Sequence, residues 1–118
     1  MKKLIITAAA PIAMLFSSIA QAAPYQALAS WYGPGFYGNL TANGEVYTGQ
    51  QFTAAHKTLP FGTRVRVTNP KTGQSITVRI NDRGPFVGSR EYDLSSAAAS
   101  AVGLKGPGVR YLQFEIIS

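Results

Sequence analysis

Residues 78–86 read V-R-I-N-D-R-G-P-F and continue an alternating run that begins at residue 74. In this run the apolar side chains share one face of a strand and the polar ones share the other: Ile76, Val78 and Ile80 against Thr77 and Arg79. The alternation stops at Asn81, where N-D-R-G-P is typical of a tight turn. We therefore expect a strand that holds the carboxylate of Asp82 at its end.

A second alternating run, T-R-V-R-V-T at residues 63–68, lies just before this strand. The segment between the two runs, N-P-K-T-G at residues 69–73, has the composition of a turn. The sequence therefore predicts a β-hairpin whose valines and isoleucines face a core. Its three arginines, Arg64, Arg66 and Arg79, are predicted to face solvent.

Further short strands are predicted at residues 25–32, 92–94 and 109–117, separated by loops rich in glycine and proline. Such a pattern indicates a mainly all-β protein, and closing the sheet into a small barrel would remove its exposed edges. No repeat or linker divides residues 23–118, so we predict a single domain there.

Two short helical segments are predicted among these strands. Ser95 is suited to cap the start of a small helix, and Gly103 is suited to follow its end. Thr53 could likewise cap one helical turn over residues 54–57.

Residues 1–22 have the features of a cleaved signal peptide. Lys2 and Lys3 precede a mostly apolar stretch, and A-Q-A at residues 20–22 fits a cleavage site. A membrane anchor is the alternative, but Pro11 and several hydroxyl side chains interrupt the apolar stretch, which is also short for a span. We expect residues 23–118 to be exported, and to be periplasmic or secreted in a bacterium.

The chain has no cysteine and a formal net charge of +6, to which Lys2 and Lys3 contribute two. Without cysteine no lipid can be attached by a thioether, so we expect no stable membrane anchor, and a single core must stabilise the domain. A modest positive charge favours acidic polymers, including the lactyl carboxylates of peptidoglycan. The basic residues are dispersed, which argues against nucleic acid as a partner. We expect a monomer.

Asp82, Glu45 and His56 are the candidates for chemistry. The sequence contains no cluster with metal-ligand spacing, no glycine-rich phosphate loop and no G-x-S-x-G motif, so we expect no metal and no cofactor. Acid and base work by carboxylates remains, and it suffices for cleaving glycosidic bonds. From spacing alone, Glu45 is more typical of a surface charge and His56 is more typical of a structural histidine.

Four aromatic residues lie within seven positions, at the end of the first predicted strand and in the loop after it: Trp31, Tyr32, Phe36 and Tyr37. Flat rings can stack on the C–H faces of sugars, and they can equally fill a core. Both interpretations are open at this point.

Six short motifs follow one another along the chain: A-S-W-Y-G at 29–33, T-A-N-G-E at 41–45, T-A-A-H-K-T-L-P-F-G-T at 53–63, V-R-V-T-N at 65–69, N-D-R-G-P-F at 81–86 and D-L-S at 93–95. Together they resemble the successive motifs of the rare lipoprotein A family. The resemblance implies a six-stranded double-psi β-barrel with one or two short helices. It also implies activity as an endolytic lytic transglycosylase on peptidoglycan strands that are poor in peptide.

The resemblance implies that Asp82, Glu45 and His56 form the active site in a groove across the barrel. We expect Asp82 to act as acid and then as base, Glu45 to stabilise positive charge, and His56 to orient one of the two carboxylates. The reverse assignment, with Glu45 as the acid, is the alternative. Arg83 is expected to point away from Asp82, and the predicted substrate-binding residues are Trp31, Tyr32, Tyr37, Asn81 and Arg83.

A different class of function is compatible with the same barrel. A non-catalytic, expansin-like module would bind cell-wall glycan through the aromatic groove without cleaving it. The retention of Glu45 and His56 together with Asp82 favours the enzyme.

Overall fold

The computed structural model describes residues 23–118, so the predicted signal peptide lies outside the described residues. Within these residues the structure has six strands, one α-helix and one 3₁₀ turn: β1 (Tyr25–Trp31), the 3₁₀ turn (Pro34–Phe36), β2 (Thr53–His56), β3 (Arg64–Thr68), β4 (Ser75–Asp82), β5 (Tyr92–Leu94), α1 (Ser96–Ala101) and β6 (Arg110–Ile116). In this part of the chain no helix has the length and apolar character needed to cross a membrane.

The six strands close into a barrel in the order β1-β5-β2-β4-β3-β6. The pairs β1–β5 and β2–β4 are parallel, and the other four pairs are antiparallel. Closure gives every strand two neighbours, so no edge is left open. The predicted six-stranded, mainly all-β barrel is therefore confirmed.

The hairpin of β3 and β4 carries the alternation that its sequence predicts. Val65 and Val67 of β3, and Val78 and Ile80 of β4, are fully buried in the barrel interior. Phe114 of β6, the strand next to β3, joins them, and its ring stacks on Tyr92 of β5 with centroids 3.8 Å apart. This apolar interior is the main source of stability in a domain without disulfides.

The helix α1 also matches its prediction. The Ser95 hydroxyl accepts a hydrogen bond from the backbone N–H of Ala98, and Gly103 just beyond the helix has a φ of +73°. Ala98 and Ala99 are buried against the core, so α1 covers one side of the barrel.

The helical turn predicted at Thr53 is wrong, because residues 53–56 form strand β2. This strand lies between β4 and β5, and all four of its residues are buried. Alanine favours helices in isolation, but pairing on both sides determines the conformation here. The small alanines let the neighbouring strands and loops pack closely over β2.

Strand β4 continues to Asp82, two residues beyond its predicted end at Ile80. An irregularity in its pairing with β2 skips Asn81, so Ala54 pairs with Ile80 and Ala55 pairs with Asp82. In a regular strand, Asp82 would share the interior face with Ile80. The bulge reverses this and turns the carboxylate to the outside of the barrel.

Candidate active site

The carboxylate of Asp82 is held by three hydrogen-bond donors. Tyr32 donates from its hydroxyl to Oδ2 at 2.5 Å, and the backbone N–H groups of Ala42 and Arg83 each donate to Oδ1 at 2.9 Å. Burial and the hydrogen bond to Asp82 raise the pKa of Tyr32, so its hydroxyl remains a donor. The position of the Asp82 carboxylate is therefore fixed from both oxygens.

The Arg83 side chain points away from Asp82, as predicted. Its Nη1 donates to the carbonyl oxygens of Leu59 at 2.8 Å and His56 at 3.2 Å, and the guanidinium lies 4.0 Å from the centre of the Phe61 ring. Within residues 23–118, Asp82 has no ion-pair partner.

Glu45 lies in a dense network of donors. Arg79 binds it with two N–H groups, at 2.5 and 3.1 Å, and the side-chain amides of Asn43 and Asn81 donate at 2.9 and 3.1 Å. These contacts, led by Arg79, lower the pKa of Glu45 to about 2. The contacts favour the ionised form of this carboxylate, which argues against Glu45 as the proton donor. The expectation that Arg79 only faces solvent is also wrong.

The loop at residues 41–45 contains Glu45 and also contacts Asp82, the other predicted carboxylate. Its Ala42 N–H binds Asp82, its Asn43 side chain binds Glu45, and the Asn43 N–H donates to the Asn81 carbonyl at 3.2 Å. Asp82 and Glu45 therefore lie on the same side of the barrel, as the family resemblance implies.

The Glu45–Arg79 pair gives a testable pH dependence of stability. Because the pKa of Glu45 falls from its usual 4.5 to about 2 on folding, its stabilising effect is present above pH 4.5 and is lost as the pH falls toward 2. Both side chains are more than a third exposed, so solvent screening limits the effect to less than about 1 kcal/mol.

Chemical unfolding at pH 6 and pH 3 should therefore show a smaller loss of stability in Glu45→Gln than in the unmutated protein. Glu115→Gln is the matched control, since its pairing with Arg66 is looser, at 3.6 Å. Equal losses in the unmutated protein and Glu45→Gln would contradict the assignment.

Within the described residues His56 makes no hydrogen bond to Asp82 or to Glu45, contrary to the prediction. Its Nδ1 accepts from the backbone N–H groups of Thr58 and Leu59, both at 3.1 Å, and its Nε2 lies 3.2 Å from Glu91. His56 pairs with Tyr92, whose side chain is interior, whereas the neighbouring Ala55 pairs with Asp82. Strand alternation thus places His56 on the opposite face of β2 from the site.

Asp93 is a further carboxylate near Asp82, and it is not among the predicted site residues. Asp93 of β5 pairs with Ala55 of β2, which in turn pairs with Asp82, so the two aspartates flank Ala55 on one face. At about 4.8 Å per strand, their Cα atoms are roughly 10 Å apart. The signal was present in Tyr92-Asp93-Leu94, where a carboxylate alternates with two core residues.

The environment of Asp93 differs from that of Glu45. Burial raises the pKa of Asp93, opposed by the hydrogen bond that Ser30 donates at 2.9 Å and by the charge of Arg90, while the charge of Asp82 adds to the increase. Asp93 is therefore the carboxylate of this region that holds a proton more readily than usual.

Asp82 and Asp93 line the same cavity, which has a volume of about 230 Å³. Two exposed aromatic rings also line it, Phe36 and Phe86, which are 52% and 77% exposed. Tyr32 and Arg83 of the predicted substrate-binding set contribute to its wall. The arrangement, carboxylates between open aromatic rings, suits a sugar.

The other predicted substrate-binding residues lie elsewhere. Trp31 is partly buried against the core, which supports the structural interpretation of this ring. Asn81 is buried and donates to Glu45. Tyr37 stacks on Tyr47 and lines a separate cavity.

Comparison with known sequences gives consistent matches. Residues 25–114 match the family model described as lytic transglycolase. The probable endolytic peptidoglycan transglycosylase RlpA of Synechocystis sp. is 59% identical over 90 residues, which cover 76% of this chain and 28% of that protein. The endolytic peptidoglycan transglycosylase RlpA of Campylobacter jejuni is 51% identical over 90 residues, covering 76% and 33% respectively. The chain thus spans about a third of the length of these relatives.

Solved structures show the same fold at low sequence identity. Streptomyces papain inhibitor superposes with a TM-score of 0.66 at 20% identity, covering 83% of this chain and 97% of that one. A variant of Clavibacter michiganensis expansin in complex with cellohexaose gives 0.64 at 18% identity, covering 81% and 51%. At these identities the likeness shows the fold alone.

Proposed function

This chain belongs to the rare lipoprotein A family of double-psi β-barrels, and on that basis we propose that it is an endolytic peptidoglycan lytic transglycosylase. It would cleave the bond between N-acetylmuramic acid and N-acetylglucosamine and leave 1,6-anhydro-muramoyl ends, preferring strands poor in peptide. The observation that carries the proposal is the Asp82 carboxylate, held by three donors in a cavity between exposed aromatic rings.

Asp82 would transfer the proton in both steps of the reaction. It first donates a proton to the glycosidic oxygen, the bond from C1 to that oxygen breaks, and the N-acetylglucosamine leaves as an alcohol. The O6 hydroxyl of the muramoyl residue then forms a bond to C1 and returns its proton to Asp82. No water is consumed, and the carboxyl is regenerated.

Two further carboxylates support this chemistry. Glu45, kept ionised by Arg79 and by the amides of Asn43 and Asn81, would supply fixed negative charge as positive charge develops at C1. Asp93 would add negative charge within the same cavity as Asp82. His56 would act indirectly, since it binds the N–H groups of the turn whose Leu59 carbonyl anchors Arg83.

The proposed substrate sets the proposed location. A glycan-cleaving barrel must work outside the cytoplasm, in the periplasm or in the medium, as the predicted signal peptide suggests. Peptidoglycan strands would be its partner, stacked on Phe36 and Phe86 and contacted by Tyr32, with the protein acting as a monomer.

The test is to incubate the purified protein with purified glycan strands and to analyse the products by mass spectrometry. We expect anhydro-muramoyl ends, at least tenfold above a heat-denatured control, and a fall in mean strand length early in the reaction, as internal cleavage requires.

Each other outcome has a definite meaning. Reducing ends without anhydro ends would identify a hydrolase, and release of disaccharides from intact long strands would contradict internal cleavage. Binding to insoluble peptidoglycan with no soluble products would favour the expansin-like module instead.

A further inference from the structure

A second cavity, of about 650 Å³, lies beside the one that contains Asp82. A series of three tyrosine rings in contact extends from one cavity to the other. Tyr32 lines the first cavity, and its ring centre is 4.6 Å from that of Tyr47, which lines the second. The Tyr47 ring stacks in turn on Tyr37, with centres 5.6 Å apart and planes tilted by 27°. The two cavities are therefore neighbours, separated by the buried rings of Tyr32 and Tyr47.

The Tyr37 ring is held in place although it is half-exposed. A Cβ atom on Gly49 would collide with this ring, and Gly49 has a φ of +75°, so glycine is required there on both counts. The Tyr37 ring is thus fixed against the backbone of Gly49 and the ring of Tyr47, with much of its surface open. A fixed, open ring is a preorganised surface for the C–H face of a sugar.

The second cavity has a single charged residue in its wall, Lys105. Its ammonium lies 5.0 Å from the centre of the Trp31 ring, so a cation–π contact holds the charge beside that ring while the side chain lines the cavity. No carboxylate in the described chain lies within ion-pair distance of Lys105. Hydroxyl and amide groups complete the polar part of the wall: Thr48, Gln50, Ser96 and Ser100.

We propose that this cavity is a subsite for a muramoyl residue, in which Lys105 pairs with the carboxylate of the lactyl group. The inference rests on the proposed function and adds the feature of the strand that the protein recognises. The sugar ring would stack on Tyr37, and its hydroxyl and acetamido groups would bind Thr48 and Gln50. N-acetylglucosamine has no lactyl group, so Lys105 would distinguish the two sugars of the strand.

Calorimetric titration of Asp82→Asn, which prevents turnover, tests this with two ligands of equal length. One is an oligomer of alternating N-acetylglucosamine and N-acetylmuramic acid with free lactyl carboxylates, and the other is a chitin oligomer. We expect Lys105→Gln in this background to weaken binding of the first ligand by about fivefold, the upper range for an exposed ion pair, and to leave the second unchanged. The effect should shrink at high salt.

Two variants make the result specific. Lys71→Gln is the matched control, because Lys71 is exposed in the turn between β3 and β4 and should affect neither ligand. Tyr37→Ser should weaken both ligands alike, by roughly fivefold, because both have a pyranose face to stack. Equal effects of Lys105→Gln on the two ligands, or none on either, would overturn the proposal.

A third ligand identifies the carboxylate. In a muramoyl oligomer that carries stem peptides the lactyl group is an amide, and we expect Lys105→Gln to leave its binding unchanged. A loss with this ligand as large as with the free oligomer would refute the lactyl assignment.

The binding and cleavage measurements can refute the subsite and the proposed function independently of each other. Anhydro ends with no effect of Lys105→Gln would refute this subsite alone. Binding that depends on Lys105 but yields no anhydro ends in the unmutated protein would refute the proposed function alone.

Discussion

Asp82→Asn should lower the rate of anhydro-muramoyl product formation by at least about a hundredfold, since general acid and base catalysis typically contributes 10²–10⁴. An amide cannot donate a proton to the glycosidic oxygen or accept one from O6. The measurement is the initial rate of product formation by mass spectrometry, at matched protein concentration, for the variant and the unmutated protein.

The barrel should tolerate this substitution, so that the loss is chemical. The Asn Oδ1 can still accept from the N–H groups of Ala42 and Arg83, and the Tyr32 hydroxyl can turn to accept from the new amide N–H. Glu115→Gln, on the surface, is the control that should keep full activity. A well-folded Asp82→Asn variant with more than a tenth of the normal rate would remove Asp82 from the proposed mechanism.

The hairpin and the final strand were predictable because their two faces differ. Val65, Val67, Val78 and Ile80 alternate with polar residues, and the barrel buries one set and exposes the other. Strand β2 carries no such contrast, since both of its faces are covered and its alanines fit either conformation. Its identity as a strand depends on β4 and β5, which are distant in sequence, so local pattern could not give it.

Local pattern predicts on which strand or loop a residue of the candidate site lies, but it does not predict which residues meet there. Alternation correctly places Arg79 on the outer face of β4, but it does not show that the loop at 41–45 brings Glu45 to meet it. The bulge that turns Asp82 outward arises from pairing with β2, and it leaves no mark in the sequence. The same strand also brings Asp82 close to Asp93, because both residues pair with Ala55 of β2.

Asp93→Asn should lower activity by about tenfold to a hundredfold and also make the protein more stable. The loss of activity follows because one negative charge is removed from the cavity that contains Asp82, which weakens electrostatic stabilisation of the transition state. Initial rates of product formation, at matched concentrations of the variant and the unmutated protein, measure the loss.

The gain in stability follows from the sign of the pKa change. Burial raises the pKa of Asp93 above its usual 3.8, so ionised Asp93 destabilises the fold, and this cost is present at neutral pH and disappears as the pH falls through the raised value. Asparagine has no charge to bury and can still accept the Ser30 hydrogen bond. Thermal unfolding at pH 7 should therefore show a higher midpoint for Asp93→Asn than for the unmutated protein, and the difference should diminish at acid pH.

Replacing a merely structural aspartate would make the protein less stable, so a variant that is both less stable and less active would refute the assignment. A carboxylate that lowers the stability of the fold but raises the reaction rate has the combination of effects expected of a functional residue.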